Sequence, residues 1–288
     1  MKIYNILFTF IIKLIQTIDF ILYLAFFENL LNPFKGHREI RNNKVRVLAN
    51  GPSLKEVIAQ LSNASFINND QDYCVVNYFV EEEIFTQIKP QFIVLSDSQF
   101  FDSADFRFSE RGHAVYQHLK EKVTWKAILF VPTIYKKTIN WKEELNTHIT
   151  VVFFHSKRYD GILSGGVGNF FFKRGLANGQ YGTVALNAIY AMIQIGYKEI
   201  LLYGVDHNFF ENMVMNDKNE LCMRVQHYYG DELKPFYMGN VKYNTFQFLE
   251  FYASLFKGHF IMNNYARACG VKILNMTKKS LIDAYDRN

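Results

Sequence analysis

The chain has 288 residues, of which 49% are hydrophobic, and it carries a formal net charge of +5. This length allows one or two domains with a sizeable core, and the apolar content excludes a largely disordered protein. Its basic residues form no long stripe, which argues against a dedicated nucleic-acid-binding protein, and its three scattered cysteines argue against a disulfide framework or structural zinc.

The first predicted element is an N-terminal helix rich in Ile, Leu and Phe. Lys13 and Asp19 interrupt its middle, whereas a membrane-spanning helix needs about 20 mostly apolar residues with few charges. No small-residue cleavage site of a signal peptide is evident. We therefore expect residues 1–44 to be an amphipathic helical segment on a membrane surface. Packing against the protein's own core and a membrane span are the alternatives.

Short apolar runs then alternate with helical patterns. The predicted strands are Val45–Ala49, Tyr73–Asn77, Phe92–Leu95, Ala127–Val131, Thr150–Phe154, Glu199–Tyr203 and Val271–Asn275. The predicted helices are Leu54–Leu61, Thr183–Ile195, Phe246–Phe256 and His259–Cys269. This alternation predicts an α/β fold in residues 45–288, a Rossmann-like, mostly parallel sheet with helices on both faces.

Two segments, Gly161–Gly182 and Phe209–Tyr243, do not fit the strand and helix pattern. Long irregular segments in compact domains are often lids or binding loops. We predict that residues 209–243 form a lid over a bound nucleotide.

Polar residues lie at or just after the ends of five of the predicted strands, and ligands of parallel sheets bind at the carboxyl ends of the strands. These residues are Asn50, Asn77, Asp97, Asp206 and Asn275. Each alone is equally well explained by the preference of Asn and Asp for turns. Their recurrence at one predicted edge of the sheet favours a binding site.

Two turns in the sequence are candidates for phosphate or ribose binding. Asn50 and Gly51 permit an unusual backbone before a helix, and Ser53 can cap that helix, whose free N–H groups suit a phosphate. Gly182 and Thr183 precede the strongest predicted helix, with an ordinary helix cap as the alternative. These turns make a nucleotide or nucleotide sugar the expected ligand. The P-loop lysine and the glycine pattern of dinucleotide sites are both missing, which argues against a P-loop and an NAD site.

No metal site or cofactor is predicted. Asp70-Gln71-Asp72 has the spacing of an Asp-x-Asp metal motif, but it lies at the amino end of a strand, so we expect a solvated turn there. His and Cys residues show no ligand spacing typical of zinc.

The predicted lid contains His227-Tyr228-Tyr229-Gly230-Asp231. A histidine or aspartate placed over a phosphate site could deprotonate an acceptor hydroxyl. The two tyrosines could stabilise a departing phosphate by hydrogen bonds. An ordinary surface loop is the alternative.

Four segments of the sequence resemble bacterial sialyltransferases of glycosyltransferase family 42. They also look like the related motility-accessory-factor glycosyltransferases and the 6-hydroxymethylpterin diphosphokinase-like proteins. The segments are Ala49–Leu54, the strand end at Asn77, Gly196–Ile200 and Tyr203–Asp206. The resemblance runs from about residue 45 to the C-terminus. It implies a single-domain Rossmann-like fold, a GT-A variant with a lid, a CMP-activated nonulosonate as donor and no metal requirement.

Matching motifs carry residue roles into this chain as expectations. Asn50, Ser53 and Asn77 would contact the donor's phosphate or ribose, Asp206 and His207 would lie near the cytidine, and Gly182 and Thr183 match more loosely. In the lid, Asp231 stands where the family has the histidine that acts as general base, and His227 matches an earlier histidine of the family's motif. We expect His227 to be the base, with Asp231 as the alternative. Asp97 also replaces an asparagine, and these departures suggest a different acceptor, donor sugar or nucleotide.

The expected function is therefore metal-independent, inverting sugar transfer to a glycan or glycolipid acceptor of lipopolysaccharide or capsule. We expect a cytoplasmic protein that lies peripherally on the inner face of the cell membrane, without a nucleic-acid partner; self-association is left open. One alternative is an ATP-dependent, pterin diphosphokinase-like enzyme with Asp97 and Asp206 as metal ligands. The other is a nucleotide-sugar-binding protein without catalytic activity.

Overall fold

The computed structural model describes residues 2–27, 30–37, 42–61, 71–101, 110–155, 157–163, 166–177, 182–227, 230–238 and 241–287. The strands are β1 (Lys44–Leu48), β2 (Asp72–Val76), β3 (Phe92–Val94), β4 (Ala127–Pro132), β5 (Ile149–Phe154), β6 (Glu199–Tyr203), β7 (Met213–Met215), β8 (Leu221–His227), β9 (Gly230–Pro235), β10 (Tyr237–Met238), β11 (Val241–Lys242) and β12 (Lys272–Asn275). The helices are α1 (Lys2–Phe27), α2 (Leu54–Leu61), α3 (Phe85–Ile88), α4 (Glu110–Lys122), α5 (Trp141–Glu144), α6 (Val167–Lys173), α7 (Val184–Ile195) and α8 (Thr245–Ala268).

A seven-stranded parallel sheet forms the centre of the fold, in the order β12-β6-β1-β2-β3-β4-β5. This is a Rossmann-like α/β fold, and every predicted strand is confirmed to within one residue at each end. The chain builds outward from β1 to β5 and then returns so that β6 pairs with the other side of β1. Ligands of such sheets bind where the strand order reverses, which here is at the carboxyl ends of β1 and β6.

Helices cover the two faces of the sheet. Helix α7 lies on one face of the sheet and is almost completely buried. Helix α4 packs on the other face of the sheet through Val115, Tyr116 and Leu119. The predicted helix start at Thr183 is confirmed, because its Oγ1 accepts a hydrogen bond from the N–H of Ala185. Both faces of the central strands are therefore apolar, as expected for a parallel sheet covered on both sides.

Three local predictions were wrong. The two helices predicted after residue 245 are one continuous helix, α8, because Gly258 lies in its buried face and the packing outweighs the helix cost of one glycine, about 1 kcal/mol. Residues 161–182 include a short helix, α6. Asp72 is fully buried in β2, where the hydroxyl of Tyr197 donates to its Oδ2 at 2.7 Å, so it does not belong to a solvated turn; Asp70 lies outside the described residues.

The segment predicted as an irregular lid contains an antiparallel sheet of β7, β8 and β9 and a small hairpin of β10 and β11. Leu221 and Cys222 are buried, and Leu221 packs with Phe248 and Tyr252 of α8. This segment is thus anchored on α8, and the alternation of apolar and polar residues from Met223 to Gln226 in β8 was the sequence signal for a strand.

Helix α1 turns Lys13 and Thr17 toward the rest of the protein, whereas Asp19 is exposed. Lys13 donates to the backbone oxygen of Asp160, and the hydroxyls of Thr17 and Tyr159 lie 2.9 Å apart. Phe20 is buried, whereas most of the remaining side chains between residues 4 and 26 are apolar and exposed. By length and composition, Tyr4–Phe26 could cross a membrane, and 11% of its most apolar stretch is buried in the fold. Of the two charges that argued against a span, Lys13 therefore lies on the protein-facing side of the helix, whereas Asp19 is exposed.

Candidate functional site

The turns after β1 and β6 are joined by backbone hydrogen bonds. The N–H of Ala49 donates to the oxygen of Tyr203 at 2.9 Å, and the N–H of Gly51 donates to the oxygen of Gly204 at 2.8 Å. Gly204 has φ of 69°, and a Cβ on it would lie 2.3 Å from the oxygen of Ala49. Glycine is needed here both for its backbone conformation and for space. The predicted Asn50–Ser53 turn thus forms one wall of a crevice at the point where the strand order reverses.

Asp206 occupies the hydrogen-bond donors that the sequence suggested for phosphate. The Ser53 hydroxyl donates to Asp206 Oδ2 at 2.9 Å, and the Ser53 N–H donates to Asp206 Oδ1 at 3.3 Å. Burial raises the pKa of Asp206, although the hydrogen bonds from Ser53 act in the opposite direction. A phosphate at the start of α2 would compete with this carboxylate, so other donors at the crevice are better placed to receive one.

Polar contacts continue along the carboxyl ends of β1, β2 and β3. The Asn50 side chain donates to the oxygen of Val76 at 3.2 Å, and Asn77 Nδ2 donates to Asp97 Oδ2 at 2.9 Å. Asn77 has a left-handed backbone with φ of 49°, a conformation that asparagine tolerates better than most residues. Its buried Oδ1 has no hydrogen-bond partner within the described part of the chain. The sequence motif at Asn77 therefore links two strand ends.

Two adjoining cavities open at this edge of the sheet. One, of about 260 Å³, lies between the β1 turn, the β6 turn and the start of α7. The other, of about 490 Å³, lies between the end of β3, the start of α7 and the aromatic face of α8. Both are lined by Thr183, His207 and Phe209. A ligand with two parts could therefore occupy both cavities around these shared residues.

The structure brings all nine predicted nucleotide-binding residues to this edge. Seven of them line a cavity: Asn50, Gly51, Asp97, Gly182, Thr183, Asp206 and His207. The other two, Ser53 and Asn77, contact the cavity residues Asp206 and Asp97. Asn275, the remaining polar strand end, lines neither cavity, and its Oδ1 accepts from the N–H of Thr277, as in an ordinary turn.

The predicted catalytic residues lie at the far end of the β8–β9 hairpin. His227 pairs with Gly230, and Asp231 pairs with Gln226. Tyr228 and Tyr229 lie outside the described residues. Other parts of the predicted lid segment reach the site, because Met238 lines the larger cavity. The roles of the four predicted catalytic residues remain predictions.

Sequence reasoning missed the residues behind His207. His207 Nε2 lies 3.1 Å from Nε2 of His259, and His259 Nδ1 lies 2.9 Å from the Tyr285 hydroxyl. Burial lowers the pKa of His207 to about 4, and burial followed by the neighbouring His207 lowers the pKa of His259 well below its usual value. No spacing pattern joins residues so far apart in sequence. Sequence reasoning also missed Tyr252 and Leu255 of the larger cavity, but for these residues a signal existed, because their spacing is that of one face of a helix.

In the described ranges, no group of three or more His, Cys, Asp and Glu side chains is placed to hold a metal ion. Two other cavities lie at the opposite edge of the sheet and share Lys198. The carboxyl edge remains the stronger candidate, because ligands bind there in open parallel sheets.

The free energy of unfolding is expected to decrease as the pH falls from 7 to 4. His207 has a folded pKa of about 4, below the ordinary 6.5, so the unfolded chain takes up the proton first. The contribution of His207 to stability is constant above pH 6.5 and declines toward pH 4, by about 3 kcal/mol. Urea titrations across this range measure the effect. Burial also lowers the pKa of His259, so it adds to the loss of stability in the same direction. His259→Gln should therefore flatten the profile, and the exposed His148→Gln should not; identical profiles for the two variants would contradict this account.

Comparison of the sequence with protein-family models and with curated proteins gave no match.

Proposed function

We propose that this protein is a glycosyltransferase that transfers a sialic-acid-like nonulosonate from a CMP-linked donor to a surface glycan, in lipopolysaccharide or capsule. One observation carries the proposal: seven residues selected from sequence motifs line two adjoining cavities where the strand order reverses. A donor and an acceptor need two neighbouring compartments, and the larger one has the size of a typical small-molecule site, roughly 300–1,000 Å³.

The N-terminus of α7, which lies between the two cavities, is the favoured position for the donor's phosphate. Helix α7 has 12 residues, and its N-terminus carries partial positive charge. Gly182 has φ of 83° and precedes Thr183, which lines both cavities. Since Asp206 already holds the donors of Ser53, we assign the donor's phosphate to the start of α7 and the nucleoside to the smaller cavity.

The proposed reaction is an inverting displacement. An acceptor hydroxyl oxygen attacks the anomeric carbon, the bond from that carbon to the phosphate oxygen breaks, and CMP leaves with the bonding electrons. His227 takes the hydroxyl proton in this proposal, with Asp231 as the alternative base. Tyr228 and Tyr229 donate hydrogen bonds to the departing phosphate, which stabilises its developing charge. These four roles rest on the sequence motif.

Peripheral attachment to the inner face of the cell membrane fits the surface of α1. Its exposed apolar side chains suit the acyl boundary of a bilayer, and its Lys13 and Thr17 side chains contact the rest of the protein. Lys13, Lys257 and Arg158 lie close enough to interact electrostatically, with Asp160 as the neighbouring acidic group. A bilayer with anionic lipids would be attracted by this excess of positive charge.

Donor turnover in the presence of EDTA tests the proposed reaction. We expect release of CMP from a CMP-nonulosonate, with transfer to an added glycan, to continue when EDTA is present. Replacing both His227 and Asp231 by alanine should remove transfer while leaving CMP binding. Turnover that requires ATP and added Mg²⁺ would favour the diphosphokinase alternative instead, and unchanged transfer by the double variant would place the base elsewhere.

A further inference from the structure

A buried hydrogen-bonded chain runs from the two cavities into the core through His207, His259 and Tyr285. His207 lines both cavities, its Nε2 faces Nε2 of His259 at 3.1 Å, and His259 Nδ1 faces the Tyr285 hydroxyl at 2.9 Å. His259 is completely buried and Tyr285 nearly so. The direction of the hydrogen bonds in this chain decides which nitrogen of His207 carries a proton.

Proton counting leaves one favourable arrangement. A neutral imidazole has one N–H donor and one bare acceptor nitrogen. If His259 donated from Nδ1 to Tyr285, the buried hydroxyl hydrogen of Tyr285 would have no acceptor among the described residues. A buried donor without an acceptor is costly. Tyr285 therefore donates to Nδ1 of His259, His259 donates from Nε2 to Nε2 of His207, and the proton of His207 is on Nδ1.

The surroundings keep the His207 ring in place and uncharged. Its ring is stacked on Phe209, with centroids 5.8 Å apart, and it meets Phe256 edge-on. Burial lowers the pKa values of both histidines, so both rings are neutral near pH 7. His207 also has a left-handed backbone with φ of 52°, a conformation that few side chains favour. Such strained positions in a binding cleft often belong to ligand-contacting residues.

We propose that Tyr285 and His259 fix His207 as the Nδ1–H tautomer, so that His207 donates a hydrogen bond to an acceptor oxygen of the ligand in these cavities. The acceptor is a carbonyl or a phosphate oxygen, and a ligand amino group at this point is disfavoured because it meets another donor. Tyr285 and His259 are positioning residues, and His207 is the ligand contact. The tautomer is independent of the proposed function, whereas the ligand contact rests on it.

Nitrogen-15 spectra of the histidine rings in the unliganded protein test the tautomer. At pH 7 we expect Nδ1 of His207 and Nε2 of His259 to be protonated, and the other nitrogen of each ring to be bare. Tyr285→Phe removes only the hydroxyl and should shift both rings away from this tautomer. Tyr116→Phe is the matched control, because the buried Tyr116 hydroxyl donates to the oxygen of Phe100, outside this chain. Protonation of His207 at Nε2 in the wild-type protein would overturn the proposal.

Two variants at position 207 test the ligand contact. Asparagine and glycine both tolerate the left-handed backbone, but only asparagine offers a side-chain N–H near the position of Nδ1. We expect His207→Asn to bind CMP at least tenfold more tightly than His207→Gly, about the effect of one hydrogen bond. Equal affinities would overturn the contact. Titrations with cytidine and with inorganic phosphate distinguish the two possible acceptor oxygens. The His207 Nδ1 signal should shift with cytidine if the acceptor is the base carbonyl, and with phosphate if it is a phosphate oxygen. If CMP fails to bind the wild-type protein, the proposed function fails while the tautomer result stands.

Discussion

Replacing Gly51 by alanine is expected to destabilise the protein by about 3 kcal/mol and to abolish nucleotide binding at the strand-end site. An added Cβ would lie 2.0 Å from Oδ2 of Asp206 and 2.4 Å from the oxygen of Gly204. Moving either neighbour would break a hydrogen bond, because Asp206 accepts from Ser53 and the Gly204 oxygen accepts from the N–H of Gly51 itself. Urea unfolding measures the loss of stability, and calorimetric titration measures the loss of binding.

Gly270→Ala is the matched control for this prediction. Gly270 has φ of 66° and no neighbour within 4 Å of an added Cβ, so its replacement costs only the backbone conformation, about 1 kcal/mol. Adding Asp206→Ala to Gly51→Ala removes the closer clash but leaves the one with Gly204, and we expect partial recovery of stability. A Gly51→Ala protein as stable as the Gly270→Ala protein would contradict the close packing of the two turns.

Four glutamine replacements on the outer face of α1 are expected to lower the affinity for vesicles about a hundredfold without changing stability. Phe8, Ile15, Ile18 and Leu22 are exposed and lie on the side away from Phe20, so the fold does not depend on them. Each gives about 1.5–3 kcal/mol when fully buried, and even half-burial of four side chains in a bilayer accounts for this change. Sedimentation with vesicles containing anionic lipid measures the affinity.

Two controls separate membrane binding from general surface hydrophobicity and from folding. Ile134→Gln and Leu281→Gln remove exposed apolar residues elsewhere and should leave vesicle binding unchanged. Phe20→Ala should instead lower stability by about 3 kcal/mol, because Phe20 packs against Tyr159 and Phe171 with ring centroids about 5 Å apart. Wild-type vesicle binding by the quadruple variant would show that α1 does not attach the protein to membranes.

The sheet and the candidate binding edge were predictable because their signals are local. Each strand is a short apolar run ending in a turn, and parallel strands place their carboxyl ends together, so Asn50, Asn77, Asp97 and Asp206 could be brought to one edge without coordinates. Thr183 at the start of α7 is likewise a local capping signal.

Contacts between distant segments were not predictable in the same way. Asp206 takes the donors of Ser53 across 153 residues, and His207 meets His259 across 52 residues. No short pattern encodes such partners, because tertiary packing decides them. The polar residues of α1 were misleading for a related reason: Lys13 is a charge in an apolar helix, but its partner, the backbone oxygen of Asp160, is supplied by the fold.

The most direct test of a nucleotide-sugar site at the carboxyl edge is calorimetric titration of the 288-residue protein with CMP, CDP, UDP, GDP and ATP, each with and without Mg²⁺. We predict that CMP binds most tightly, without Mg²⁺, and that Gly182→Val weakens binding, because a side chain there would meet Phe251, 2.4 Å from an added Cβ, at the wall of the larger cavity. If CMP does not bind, or if ATP with Mg²⁺ is the only nucleotide that binds, the proposed nucleotide-sugar site is contradicted.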